Sequence, residues 1–227
     1  MNKKRKILCI LGIFISVMLS GCARIDASMY VQAVLDTSYK GETDQYIKVI
    51  GGTKEEAQEI FQKKLNATMK EFKTTQLSEE LEKQYEILFG NLMKQMNYQV
   101  GEAEKEKRGR YIVKVIVKPV LLFDETYEEF QRRAEEYAKE ITEQVTKNGE
   151  MPEETVMQQE VYRIYYEVLK EQLESGVSYG DPKAVILHVI RQKDGTYEIA
   201  KQDLITLDAM LISQAVLTRQ SSNDILY

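Results

Sequence analysis

Two cysteines, a single histidine, five pairs of adjacent glutamates and fourteen tyrosines are the side chains through which this chain could do chemistry. The acid pairs are Glu55/Glu56, Glu79/Glu80, Glu128/Glu129, Glu135/Glu136 and Glu153/Glu154. Nearly all fall on helical patterns, where neighbouring side chains diverge by about 100°. A glycosidase needs two carboxyls facing each other across a cleft, so these pairs read as solvating or capping groups. His188 falls inside a strand pattern. A catalytic triad or a zinc site would need further His, Ser with Asp, or Cys, so His188 reads as structural. The chain has no P-loop, EF-hand loop, G-x-S-x-G, H-E-x-x-H or G-x-G-x-x-G, and Gly51-Gly52 is too short to cradle a phosphate. Tyr162, Tyr165, Tyr166 and Tyr179 cluster around one helical segment, and tryptophan is absent. Tyrosine has an apolar body with a polar tip and suits interfaces. Tyr165 reads as core, and Tyr162, Tyr166 and Tyr179 are the candidate surface for a partner or ligand. No catalytic residue, metal-ligand set or cofactor motif is assigned.

Cys22 stands apart. Lys3, Lys4, Arg5 and Lys6 precede an apolar run from Ile7 to Leu19. About 20 apolar residues are needed to cross a bilayer core, so this run is too short to span and fits the apolar region of a secretory signal. It closes on Leu19-Ser20-Gly21-Cys22. That ending resembles the lipobox of bacterial lipoproteins. The resemblance implies a leader over residues 1–21, a diacylglyceryl group on the Cys22 sulfur with possible N-acylation, and Cys22 as the mature N-terminus. It also implies an address on the outer face of the cell membrane. One acyl chain binds a membrane marginally and two hold it. Cys9 leaves with the leader and Cys22 is lipidated, so no thiol remains for a disulfide, a metal site or a nucleophile.

The elements that carry these residues follow from periodicity. Residues 22–28 form the lipidated cysteine and a short tether, which predicts a domain held close to the membrane. A helical pattern starts near Asp26, with Gly41 placed to cap it. Thr53 to Glu56 is a capping box, opening a helix to about Lys73, and Ser78 opens another with a stripe of Leu81, Tyr85, Leu88, Leu92 and Met96. The period then falls to two: Tyr98 and Val100 start one strand, and Tyr111 to Lys118 is a second whose odd positions are all apolar. Two long helices follow, one striped by Tyr127, Phe130, Ala134, Tyr137, Ile141 and Val145, the other by Met157, Val161, Ile164, Tyr165, Val168 and Leu169. Their short connection predicts an antiparallel pair. A third strand runs over residues 183–192. Asp194-Gly195 is read as a two-residue hairpin turn, which would pair Arg191 with Glu198, Ile190 with Ile199 and His188 with Lys201. Residues 204–217 again read helical, and 218–227 form a frayed tail.

The predicted fold is therefore α+β: an antiparallel sheet of two hairpins packed on N-terminal helices, with a helical hairpin inserted between the strand pairs, as one domain over residues 29–217. The net charge is −5. The leader carries four cations and no acid, so −9 remains beyond it. An acidic domain repels phosphate backbones, which argues against nucleic acid; once anchored, it should not cling to anionic lipid through a basic patch.

Tyr30, Val31, Ala33, Leu35, Asp36, Tyr39, Lys40 and Gly41 resemble the start of small lipoproteins of unknown function from Gram-positive bacteria. The resemblance implies a cystatin-like or NTF2-like arrangement and assigns no activity. The expected function is a non-enzymatic, lipid-anchored binding or interaction domain for an unidentified protein or small ligand, with no cofactor. The alternatives are an enzyme with a carboxylate-based NTF2-like pocket and, less favoured, the solute-binding component of a transporter.

Overall fold

The computed structural model describes residues 25–72 and 77–213. The leader, Cys22 and the residues 218–227 expected to fray lie outside the described residues.

Asp26 caps the first helix, α1 (Ala27–Leu35), by accepting from the Met29 amide, the arrangement that satisfies an otherwise orphaned N–H. The chain does not stop at Leu35. It widens into a π-helical turn, Asp36–Lys40, and ends on Gly41 with φ at 69°. A short helix, α2 (Asp44–Ile50), follows; the sequence reading had no element there. At seven residues it gives too few turns for a period to show. The expected capping box is present: the Thr53 amide donates to Glu56 Oε2 and the Glu56 amide to Thr53 Oγ1. It opens α3 (Lys54–Phe72), and Ser78 caps α4 (Glu79–Lys94) through the Leu81 amide.

Four antiparallel strands form a meander, β1 (Asn97–Lys107), β2 (Arg110–Lys118), β3 (Lys183–Arg191) and β4 (Tyr197–Ile199), in that spatial order. The long helical hairpin, α5 (Leu122–Asn148) and α6 (Glu154–Ser175), is inserted between β2 and β3, which nevertheless pair along eight residues. A ribbon closes the insertion at its base, where Leu121 N–H donates to Ser178 O and Gly180 N–H to Pro119 O. The last helix, α7 (Lys201–Leu211), returns to this base, with Val120 N–H donating to Leu211 O and Ser213 N–H to Val120 O. The fold class read from the sequence is the fold observed.

Alternation decides which sheet face is buried. Val113, Val115 and Val117 on β2 and Val185, Leu187 and Val189 on β3 are all under 5% exposed, each contributing about 1.5–3 kcal/mol by leaving water. They join one cluster with α1, α4, Leu122, Leu169 and α7.

The predicted β3–β4 register is corrected by one residue. Arg191 pairs with Tyr197, Ile190 with Glu198 and Val189 with Ile199, and Ala200 N–H donates to His188 O. The loop encloses three residues rather than two. Gln192 N–H donates to Thr196 O across Lys193-Asp194-Gly195, Gly195 sits at φ 93°, and Asp194 Oδ1 accepts from both the amide and the hydroxyl of Thr196. A three-residue loop ending on a left-handed glycine is the next commonest hairpin connection. The shift sets Ile199 opposite Val189 on the buried face, and a one-residue slip of β4 would turn Ile199 outward.

A candidate functional site of buried charge

Three helical elements from opposite ends of the chain bring Lys64, Asp208 and Tyr39 together. Lys64 lies on α3 four residues after Ile60 and four before Thr68, on the helix's own apolar stripe. Asp208 lies on α7 between Leu207 and Leu211, which are almost wholly buried. Tyr39 comes from the π-helical turn. Lys64 is 5% exposed and Asp208 6%, and Lys64 Nζ stands 2.6 Å from Asp208 Oδ1. The Tyr39 hydroxyl donates to the same oxygen, and Lys64 Nζ lies 5.0 Å from the centre of the Tyr39 ring. Asp208 Oδ2 is buried and has no hydrogen-bond partner among the described residues.

The electrostatics follow from this geometry. Burial pushes the Lys64 ammonium below its ordinary value, against the attraction of Asp208. Burial raises the Asp208 carboxyl, against Lys64 and the Tyr39 hydrogen bond. Tyr39 is held well above its ordinary value by burial, then by Asp208. Desolvation thus works against the charged forms of Lys64 and Asp208, and the short contact between those two opposes it.

The cluster continues toward the surface. Tyr39 packs against Tyr98 with ring centres 6.1 Å apart, and Tyr98 donates to Asp36 Oδ1 at 2.7 Å. Burial, then that hydrogen bond, raises the Tyr98 phenol. Asp36 also accepts from Gln32 at 2.6 Å and pairs with Lys40 at 3.0 Å, whose Nζ sits 4.6 Å from the Tyr98 ring centre. The π turn explains why one short segment serves both ends: its wider winding sends Asp36 toward β1 and Tyr39 toward α3 and α7. Such turns recur at functional positions. Chemically the arrangement joins two acids, two lysines and two phenols in one polar core. Its inner part holds charge against charge with almost no exposure.

The sequence reading missed Lys64 and Asp208. A signal was present: each occupies a stripe position on an otherwise apolar helix face, one cationic and one anionic. Two such residues of opposite sign on separate helices mark a candidate buried pair.

The residues singled out from the sequence fall elsewhere. Tyr162, Tyr166 and Tyr179 are half-buried against the core. Tyr166 meets Tyr85 edge-on at 5.5 Å, the Tyr85 hydroxyl donates to Tyr162 O at 2.7 Å, and Tyr179 donates to Gln95 O at 2.9 Å. They tie α6 and the segment between α6 and β3 to α4 and its C-terminal end. Tyr165 packs on Phe130 at 4.8 Å, and burial pushes its phenol up to about 12. An open groove of about 450 Å³ is lined by Ser78, by Leu81 and Gln84 of α4 and by Val156, Gln159 and Arg163 of α6. His188 is one-third exposed, and both its amide and its Nδ1 lie within 2.8 Å of Asp203 Oδ2, which fixes it to the start of α7. Among the described residues no group of three or more His, Cys, Asp or Glu is placed to hold a metal ion, and no helix there is long and apolar enough to cross a membrane.

No family model matches the chain, and no curated protein matches it. Among solved structures, the chain resembles the crystal structure of a lipoprotein candidate, ycdA, from Bacillus subtilis, at 15% identity and a TM-score of 0.59. The alignment covers 84% of this chain and 57% of that one. This chain therefore spans little more than half the length of that structure, and the likeness is one of fold.

Proposed function

We propose that this protein is a lipid-anchored extracytoplasmic domain that binds a partner or ligand at the outer face of the cell membrane and does no catalysis. The observation that carries this reading is how near the described core lies to Cys22 along the chain. Ile25 already packs against the core and Asp26 already caps α1, three and four residues beyond the lipobox cysteine. A lipid on Cys22 would thus hold the core within a few residues of the membrane. The lipoprotein description carried by the structural relative agrees. A meander with its helices packed on one face is also what a cystatin-like or NTF2-like domain would show, with the α5–α6 insertion as an elaboration.

Binding is preferred to catalysis because the perturbed groups face one another. A carboxylate-based enzyme pocket would aim a raised acid at an open cleft beside a second acid. Asp208 instead aims at Lys64 and Tyr39. Tyr162, Tyr166 and Tyr179, half-exposed along α6 and the segment that follows it, are the proposed partner surface. The test is a Cys22→Ala variant of the full chain expressed in a bacterial host that makes lipoproteins. Labelled fatty acid should enter the parent chain and not the variant, and the variant should keep its leader. A normally processed, soluble variant would overturn the anchor.

A further inference from the structure

The two tight turns of the sheet lie together. Arg191 N–H donates to Gly109 O at 2.7 Å, joining the β3–β4 end to the β1–β2 turn. This end of the sheet carries Lys105, Lys107, Arg108, Arg110, Arg191 and Lys193, all exposed except the half-buried Arg110. The acids within the same two turns are Glu106, 3.3 Å from Arg110, and Asp194, bound to Thr196. Glu104 lies one residue further along β1. Residues 105–110 and 191–195 therefore hold six cations against two carboxylates, on a chain of net charge −5. The charge is polarised, which a net value hides.

The start of α1 lies on the same half of the sheet. Along α1, Asp36 reaches Tyr98 whereas Ser28 bonds Gly101 O, so the helix N-terminus points along β1 toward its turn. Tyr30 donates to the carbonyl of Tyr197, the residue paired with Arg191. Met29, in the first turn of α1, is 41% exposed. Three residues separate Cys22 from the cap residue Asp26, so their Cα atoms can be no more than about 14 Å apart.

We propose that this end of the sheet rests on the anionic headgroups of the bilayer that holds Cys22, with the five exposed cations facing lipid phosphate and Met29 at headgroup depth. The inference depends on the lipid anchor proposed above. The tether is too short to let the domain float free, and anionic leaflets attract basic segments within a Debye length. The lipid therefore sets the distance and the turns set the orientation.

The test uses the full lipidated chain in vesicles. Beyond the leader Cys22 is the only cysteine, so a single introduced cysteine can be labelled with a fluorophore. Lys107→Cys labels the basic end. Asp181→Cys labels the other end of the sheet, which Arg110 to Lys118 separates by about 26 Å. A phospholipid with a nitroxide headgroup serves as quencher. Mass spectrometry first establishes acylation of Cys22; its absence would remove the anchor itself. With the anchor present, the label at 107 should be quenched more strongly than that at 181 in phosphatidylglycerol vesicles. The difference should vanish in about 1 M salt, where the Debye length falls to about 3 Å, or in a Lys105→Glu, Arg108→Glu variant. Equal quenching at both positions, or quenching at 107 indifferent to salt and to these substitutions, would overturn the proposal.

Discussion

The cost of burying Lys64 and Asp208 falls on whichever one is left alone. Lys64 Nζ is 2.6 Å from a carboxylate that is 6% exposed, and the second oxygen of that carboxylate has no hydrogen-bond partner among the described residues. Lys64→Met should cost about 3–5 kcal/mol, because it strands a buried acid. Lys64→Met combined with Asp208→Leu should recover most of that loss, since an apolar pair needs no desolvated charge. Urea unfolding of the two single variants and the double variant measures this directly. A fully additive double variant would show that the two groups do not act as a pair. The pair was legible only as a pattern of misfits, one charge on each of two apolar stripes. Tyr39 gave no such signal, because tyrosine belongs equally on a stripe and in a polar contact.

At the scale of elements, α5 and α6 are joined by ions as well as by their apolar seam. Arg133 reaches Glu129 on its own helix at 2.6 Å and Glu171 on α6 at 2.6 Å. Hydrogen bonds from Arg132 and Arg133 hold the Glu129 carboxyl down to about 2, from an ordinary 4.5, and Arg133 also lowers Glu171. A carboxylate depressed by folding stabilises the native state above its unfolded value, and that contribution is lost as the pH falls toward the folded value. The hairpin should therefore weaken between pH 4.5 and about 2. Glu129→Gln should flatten the slope of urea midpoint against pH in that window and leave the midpoint near neutrality little changed, since the group is solvent-screened. An unaltered slope would show that the ion pairs contribute nothing. The existence of these helices was plain from their period, and so was the short turn that makes them antiparallel. The β3–β4 register was not, because Asp-Gly serves two-residue and three-residue loops alike; Thr196 bonding back to Asp194 selects the longer one.

The whole molecule divides into a body and an arm. Buried side chains in the insertion end at Thr126 on α5 and begin again at Ile164 on α6. The hairpin beyond them mainly covers its own seam, and Tyr162 is its contact with the central core. Replacing residues 138–160 by a short turn should leave one cooperative unfolding transition with a nearly unchanged midpoint, read by circular dichroism. Tyr85→Ala, which removes a fully buried ring stacked on Phe89 and met edge-on by Tyr166, should cost about 3–5 kcal/mol. Loss of cooperativity in the truncated chain would mean that the arm belongs to the body.

By itself the sequence determined what is local and periodic. Period two set the strand faces, period 3.6 set the long helices, and single residues such as Asp26, Ser78 and Gly41 set where helices begin and end. It also carried the basic and apolar run that ends in Leu19-Ser20-Gly21-Cys22, the linear pattern on which the proposed anchor rests. The tertiary structure decided what depends on distant residues meeting: Lys64 with Asp208, 144 positions apart, β2 beside β3 across the inserted hairpin, and two basic turns at one end of an acidic chain. The physical reason is that a side chain's cost or benefit depends on its surroundings. A lysine on a helix is solvated or buried, and a cation is diluted or concentrated, only once the packing of the other elements is known.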